Sequence, residues 1–203
     1  FWTTNVQMEP EATEEPEDLD SESALLQALL RSRGLPADMC AWVVEQQPDL
    51  EEEDLVWKVL QSMMDQCNDA EAYTVEEVSE EELAELRQDE LTVLQCCFPE
   101  DGEFCIVDDQ QLELRVSVDG HLLGTSLKVQ LPSQYPNVCP LVLLVNDQLS
   151  EDAKCAFHWH MMQFLVSIRG QPAINQLHAW ICDELPVHFP PPELEKKSKK
   201  KDK

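Results

Sequence analysis

Basic residues are scarce in this chain. Its 203 residues include 14 lysines and arginines against 41 aspartates and glutamates, which gives a formal net charge of −27 at pH 7. Proteins that bind duplex DNA or RNA neutralise phosphates with lysine and arginine, and anionic membrane surfaces attract basic segments. The deficit excludes both partners for the chain as a whole and favours a basic protein surface, which an acidic field would attract.

Long apolar runs are absent as well. The longest, residues 141–145, has the length of a strand, whereas a membrane-spanning helix needs about 20 apolar residues. The N-terminal segment carries Glu9, Glu11, Glu14 and Glu15 and lacks the positive flank and apolar run of a signal peptide. We therefore expect no membrane segment. Because Phe1 opens the sequence, we also expect a fragment of a longer protein or a processed or trimmed chain.

The eight cysteines do not form an obvious disulfide framework. Most stand singly among apolar residues, and Cys96 and Cys97 are adjacent. Without a secretory signal, this pattern favours reduced thiols and a cytoplasmic location, with the nucleus as the alternative. The run Cys155-x-x-His158-x-His160 has metal-binding residue types, but a zinc site normally needs four ligands in paired spacings. We expect no metal and no other cofactor.

Charge and hydrophobic pattern divide the chain into five segments. Residues 1–22 form an acidic tail with the composition of disorder, and residues 23–68 have the periodicity of three short amphipathic helices. An acidic linker at 69–78 leads to a patterned segment at 79–186. Residues 187–203 are Pro-rich and then Lys-rich. We interpret this end as a charged linker, and it is the one segment through which nucleic acid could bind.

The pattern within 79–186 predicts an α+β domain. Ser79 and Glu82 have the spacing of a capping box, which starts a helix. From residue 102 the period changes to 2, over four short strands with short links, and two helices follow. We predict a four-stranded antiparallel meander covered by helices on one face, preceded by the small three-helix module.

One motif links this pattern to a family. Tyr135-Pro136-x-x-x-Pro140 stands between the third and fourth strands. With its flanking elements, the segment resembles the RWD domain, whose fold is similar to that of ubiquitin-conjugating enzymes. The prolines fix two φ angles and restrict the residues before them, and Tyr135 can bury its ring while its hydroxyl finds a backbone partner. We expect these three residues chiefly to stabilise the fold.

Catalytic motifs are missing. Ubiquitin-conjugating enzymes place a His-Pro-Asn triplet before their active-site cysteine, and the matching stretch here, residues 145–155, has none. Its Cys155 falls in a predicted helix. A phosphate-binding Gly-x-x-x-x-Gly-Lys loop is also absent. We therefore predict a chain that is not an enzyme and has no catalytic residues.

Two surfaces are candidates for partner binding. Gly34-Leu35, between the first two helices, loosely resembles the turn of a ubiquitin-associated domain, which implies a weak contact with ubiquitin. The acidic face of the helix that starts at Ser79 would suit a basic protein partner. Its carboxylates are Glu80, Glu81, Glu82 and Glu85.

The resemblance implies a non-catalytic protein-interaction region, acting as an adaptor in ubiquitin-linked or translation-control pathways. The alternative is an accessory N-terminal region of a larger enzyme, since a small module ahead of an RWD domain resembles part of some DEAH-box RNA helicases, and a RING-type ubiquitin ligase would also fit. A third hypothesis is a weak ubiquitin reader.

Overall fold

The computed structural model describes residues 19–68, 78–117, 122 and 124–190. The predictions for the acidic tail before residue 19, the linker at 69–77 and the Lys-rich end lie outside these residues. Within them the chain forms six helices and four strands. In chain order they are α1 (Leu19–Ser32), α2 (Ala37–Gln46), α3 (Glu52–Asn68), α4 (Glu80–Cys97), β1 (Phe104–Ile106), β2 (Gln111–Arg115), β3 (Ser126–Gln130), β4 (Leu141–Val145), α5 (Glu151–Ser167) and α6 (Ile174–His188).

The predicted fold class is confirmed. The strands form an antiparallel sheet in the order β1-β2-β3-β4. Leu114 pairs with Leu127, and Leu127 pairs with Leu144, so one face of the sheet carries a continuous apolar row. Helices α4, α5 and α6 complete the α+β domain, and α1–α3 form the helical module that precedes it. In the described part of the chain, no helix is long and apolar enough to cross a membrane.

Two helix ends differ from the sequence-based expectation. Helix α1 begins at Leu19, four residues before the helical segment that the sequence predicts from residue 23, since residues 19–22 contain no proline or glycine to prevent it. Helix α6 passes through Pro186, where the patterned segment was predicted to end, and stops at His188. A proline near the end of a helix removes one hydrogen bond. The turn still closes, since Phe189 donates to the Leu185 carbonyl at 2.9 Å and Leu185 is fully buried.

The sheet is asymmetric in its burial. On the outer face, Glu113 pairs with Lys128, which pairs with Leu143. The first two are at least partly exposed, whereas Leu143 is 4 % exposed. Helix α3 contacts β4 at this edge and also contacts α5. The fourth strand is therefore buried on both faces, although it lies at the edge of the sheet.

The helical module and the α+β domain share one hydrophobic core. Leu30, Leu55 and Leu60 of the module belong to the same buried cluster as Leu144 and Phe157 of the domain. A bundle of about 45 residues is marginal by itself, because a small unit buries too little apolar surface. Docking on α5 and β4 supplies the burial that the module lacks.

Candidate functional site

The tyrosine of the Tyr-Pro motif is a buried junction of three segments. Tyr135 precedes a cis peptide bond to Pro136 and is 1 % exposed. Its hydroxyl donates to a carboxylate oxygen of Glu90 on α4 and accepts from the Ala173 backbone N–H at 2.6 Å. The other Glu90 oxygen accepts from the Ile174 N–H at 2.7 Å. Ala173 offers α6 no side-chain cap, so Tyr135 and Glu90 satisfy the start of that helix from outside.

Burial dominates the electrostatics of this junction. It raises the pKa of Glu90, against the lowering effect of hydrogen bonds from Tyr135 and Ile174. It also raises the pKa of Tyr135, and the neighbouring Glu90 charge adds to that rise. Both side chains form their hydrogen bonds with other parts of the fold, which gives the junction a structural role.

Glu90 is a structural residue of this junction whose role the sequence did not reveal. The expected backbone partner of the Tyr135 hydroxyl is present, the Ala173 N–H, whereas its carboxylate partner was not predicted. The available signal was position: Glu90 lies seven residues after Leu83 and four before Leu94, which are both buried on α4. An acid at an apolar position of a helix indicates a specific partner, because an unpaired buried charge is very costly.

The acidic face of α4 is open to solvent. Glu80, Glu81, Glu82 and Glu85 are all exposed. Glu82 completes the capping box: its carboxylate accepts from the Ser79 N–H at 3.1 Å, and the Ser79 hydroxyl accepts from the Glu82 N–H at 3.2 Å. Within the described ranges, none of these four carboxylates has a cationic partner. The face therefore presents uncompensated negative charge.

Apolar side chains lie beside these carboxylates. Leu86 is 37 % exposed and Val93 is 47 % exposed. They are seven residues apart, so they lie two turns apart on the same side of the helix, and exposed Asp89 lies between them. Helix α4 thus combines carboxylates with an apolar strip, which is a suitable composition for a protein interface.

Gly34 and Leu35 face the α+β domain. Leu35 is 3 % exposed. Gly34 has a φ of +80°, and a Cβ placed on it would lie 2.2 Å from the Lys154 Cβ of α5. The Lys154 ammonium donates to the Ser32 carbonyl at 2.6 Å. This turn is the contact through which α1 and α2 dock on α5, so a partner would reach it only after the module had separated from the domain.

His158 secures the same contact from the domain side. It is fully buried, and its Nε2 accepts from the Leu144 N–H of β4 at 2.9 Å. Because a backbone N–H only donates, Nδ1 carries the proton and donates to the Gly34 carbonyl at 3.0 Å. The pKa of His158 is lowered to about 4, chiefly by burial and in smaller part by the nearby Lys154 charge, against the raising effect of the hydrogen bond to Gly34. A neutral imidazole therefore joins α5, β4 and the Gly34 turn.

Cys155 is poorly placed for nucleophilic chemistry. It lies in the first turns of α5 and is half-buried. Burial raises the pKa of its thiol, and the charges of Asp152 and Asp38 raise it further. A cysteine nucleophile needs the opposite shift, because the thiolate is the reactive form. Among the described residues, no group of three or more His, Cys, Asp or Glu side chains is arranged to hold a metal ion.

The comparisons with known proteins agree with this architecture. The family model of the RWD domain matches residues 85–185, a range that runs from within α4 to the last turn of α6. No curated protein matches the chain. RWD domains are protein-interaction domains of the ubiquitin-conjugating-enzyme-like fold and are generally non-catalytic. The α+β domain of this chain has the four-stranded meander, the Tyr-Pro motif and the flanking helices described above. It belongs to the RWD domain family.

Proposed function

We propose that this chain is a non-catalytic adaptor that holds a basic protein partner on the acidic face of α4. Membership of the RWD family supports the interaction role. The single observation that carries the choice of surface is the exposed, uncompensated run of carboxylates at Glu80, Glu81, Glu82 and Glu85. An acidic surface of this kind raises the association rate of a basic partner by steering it.

The apolar strip gives the proposed face a source of affinity. Rim charges mainly steer and orient, whereas buried apolar contacts slow dissociation. Leu86 and Val93 are positioned to make such contacts while the adjacent carboxylates meet lysine or arginine. We place the partner in a ubiquitin-linked or translation-control pathway on the family resemblance, and the complex in the cytoplasm on the cysteine pattern.

The contacts of the potentially reactive side chains support binding without turnover. Glu90 and Tyr135 form hydrogen bonds at the start of α6, and His158 forms one with the backbone of β4. Cys155 has a raised pKa rather than the lowered one of a thioester-forming cysteine. These groups stabilise the fold that presents α4.

Affinity capture from cell lysate tests the proposal, with the full chain as bait. A variant that combines Glu81→Gln and Glu85→Gln should lose the specific partner. The matched control, Asp101→Asn with Asp109→Asn, removes the same charge from exposed positions near β1 and should retain it. Retention by the α4 variant would reject the surface. Transfer of ubiquitin to the chain as a thioester, abolished by Cys155→Ser, would reject the non-catalytic role.

An accessory region of a larger enzyme remains the alternative. The observation that favours it is the helical module packed directly on the RWD domain through the Gly34 turn, since a module ahead of an RWD domain resembles the N-terminal region of some DEAH-box helicases. The parent transcript distinguishes the two: a helicase core or a zinc-binding ring beyond Lys203 supports the accessory role, and a stop codon supports the adaptor.

A weak ubiquitin contact at Gly34-Leu35 is a further alternative, and it requires the module to separate from α5. Titration of the ¹⁵N-labelled chain with ubiquitin tests it. Shifts at both residues, together with loss of the His158 contact, would support it, and unchanged spectra at millimolar ubiquitin would reject it.

A further inference from the structure

We propose that the groove between α2 and α3 is a second docking site, which takes a lysine or arginine side chain from a basic peptide. The groove lies on the helical module. It is separate from the α4 face, so the inference goes beyond the proposed function and does not depend on it.

The groove has two walls and an apolar floor. Its volume is about 370 Å³. Helix α2 contributes Asp38, Met39 and Trp42, and α3 contributes Ser62, Asp65 and Gln66. Met39 is 7 % exposed and forms the floor, whereas Trp42 is 56 % exposed and leaves much of its ring open.

The fold itself makes no use of this open ring. Helix α2 packs through Met39, Cys40, Val43 and Val44, and these residues already supply its buried face. Trp57, Trp159 and Trp180 are each buried or half-buried. Trp42 is thus the most exposed tryptophan in the described part of the chain, and it lies one turn after Asp38 on the side of α2 that faces the groove.

The charge around the ring selects the occupant. Asp38 and Asp65 lie on opposite walls, and neither has a cationic partner among the residues that the structure describes. Residues 37–68 contain eight acids and one base, Lys58. Nucleic acid and anionic lipid would be repelled here, whereas a basic protein segment would be attracted.

A lysine or arginine side chain matches each part of the groove. Its aliphatic stem packs on apolar surface such as Met39 while its charged head stays outside. The cation lies over the indole face, where the ring quadrupole attracts it. The two carboxylates then accept charge-assisted hydrogen bonds from the same head group. A neutral side chain would pack on the apolar floor but would lack the attraction to the indole ring and the two carboxylates.

Calorimetric titration of the full chain tests the site. The probe is a short synthetic peptide in which lysines and arginines flank a single leucine. Trp42→Ala should weaken binding about tenfold, the size of a partly desolvated cation–π contact. Asp38→Asn combined with Asp65→Asn should weaken it at least as much. Leu25→Ala, which truncates an exposed leucine on α1 (69 % exposed), is the matched control and should leave binding unchanged.

Each outcome decides the proposal. Equal binding by Trp42→Ala and the wild type would show attraction by charge alone and would overturn it. Equal binding of a peptide with acetylated lysines, or no binding by the wild type, would do the same. The Glu81→Gln/Glu85→Gln variant should bind the probe normally. If that variant alone loses binding, the peptide occupies α4, which rejects the groove and supports the proposed function.

Discussion

His158 couples the stability of the chain to pH through one buried imidazole. Its pKa of about 4 lies below the ordinary value of 6.5, because burial disfavours the charged form. The unfolded chain therefore binds a proton first as pH falls, and the stabilisation present above pH 6.5 is lost between 6.5 and 4. We expect a loss of about 2 kcal/mol between pH 7 and pH 5 from this residue. Urea unfolding at both pH values measures it.

The control for that prediction is His158→Gln. A glutamine oxygen can accept from the Leu144 N–H and its amide can donate to the Gly34 carbonyl, but the side chain does not titrate. Burial also lowers the pKa of His178, so only the difference between variant and wild type isolates His158. Equal pH dependence of the two proteins would contradict the assignment.

Gly34 is the second residue on which the docking contact depends. Gly34→Ala would place a Cβ 2.2 Å from the Lys154 Cβ, at a φ of +80° that disfavours any side chain. We expect a destabilisation of roughly 3 kcal/mol, from the overlap together with the backbone cost. Chemical denaturation measures it.

Gly124→Ala is the matched control for Gly34→Ala. Gly124 has the same φ of +80°, and no atom lies within 4 Å of the Cβ that it would gain. Only the backbone cost of about 1 kcal/mol should appear. Equal losses at the two glycines would show that contact with Lys154 contributes nothing.

At the scale of elements, we expect the Ser79 cap to stabilise the start of α4. Ser79→Ala removes the hydroxyl that accepts from the Glu82 N–H, whereas the backbone N–H of residue 79 can still donate to the Glu82 carboxylate. We expect a loss of about 1 kcal/mol, the usual cost of removing a serine N-cap. Thermal unfolding measures it, with Ser62→Ala, inside α3, as the control. A loss no larger than that of the control would show that the box is not formed in solution.

Local signals explain which elements the sequence could predict. The capping box, the change of period near residue 102 and the Pro-rich crossing are each encoded within a few residues, and the meander of β1–β4 followed from them. Local signals predict helix ends less well than they predict the elements themselves. Helix α6 continues past Pro186, because the burial of Leu185 offsets the one hydrogen bond that the proline removes.

Long-range contacts explain what the sequence could not predict. The partner of Tyr135 on α4 is 45 residues away, and the partner of His158 in the Gly34 turn is 124 residues away. No periodicity records such a pairing. The candidate surfaces divide in the same way: the α4 carboxylates are exposed as their pattern suggested, whereas Gly34 and Leu35 are covered by a docking contact visible only in three dimensions.

At the scale of the whole molecule, the helical module completes the RWD domain. Helix α3 packs beside β4, where Val56 and Trp57 lie near Leu143. Among the described residues, one ion pair joins this helix to the domain, Glu53 with Lys128 at 3.9 Å, and it is exposed and contributes little. Apolar burial, the His158 contact and the hydrogen bond from Lys154 to the Ser32 carbonyl therefore hold the two parts together.

Removal of the module should consequently destabilise the domain. A fragment of residues 79–190 would expose Leu143 and leave His158 without its Gly34 acceptor. We expect its free energy of unfolding to fall by roughly 3 kcal/mol or more relative to the full chain, from one uncovered leucine and one lost buried hydrogen bond. Addition of a peptide of residues 19–68 should restore part of the difference, because only the folded domain binds it. If the fragment matched the full chain in stability, the module would be an independent appendage, and its contact with the domain would be free to open for a partner.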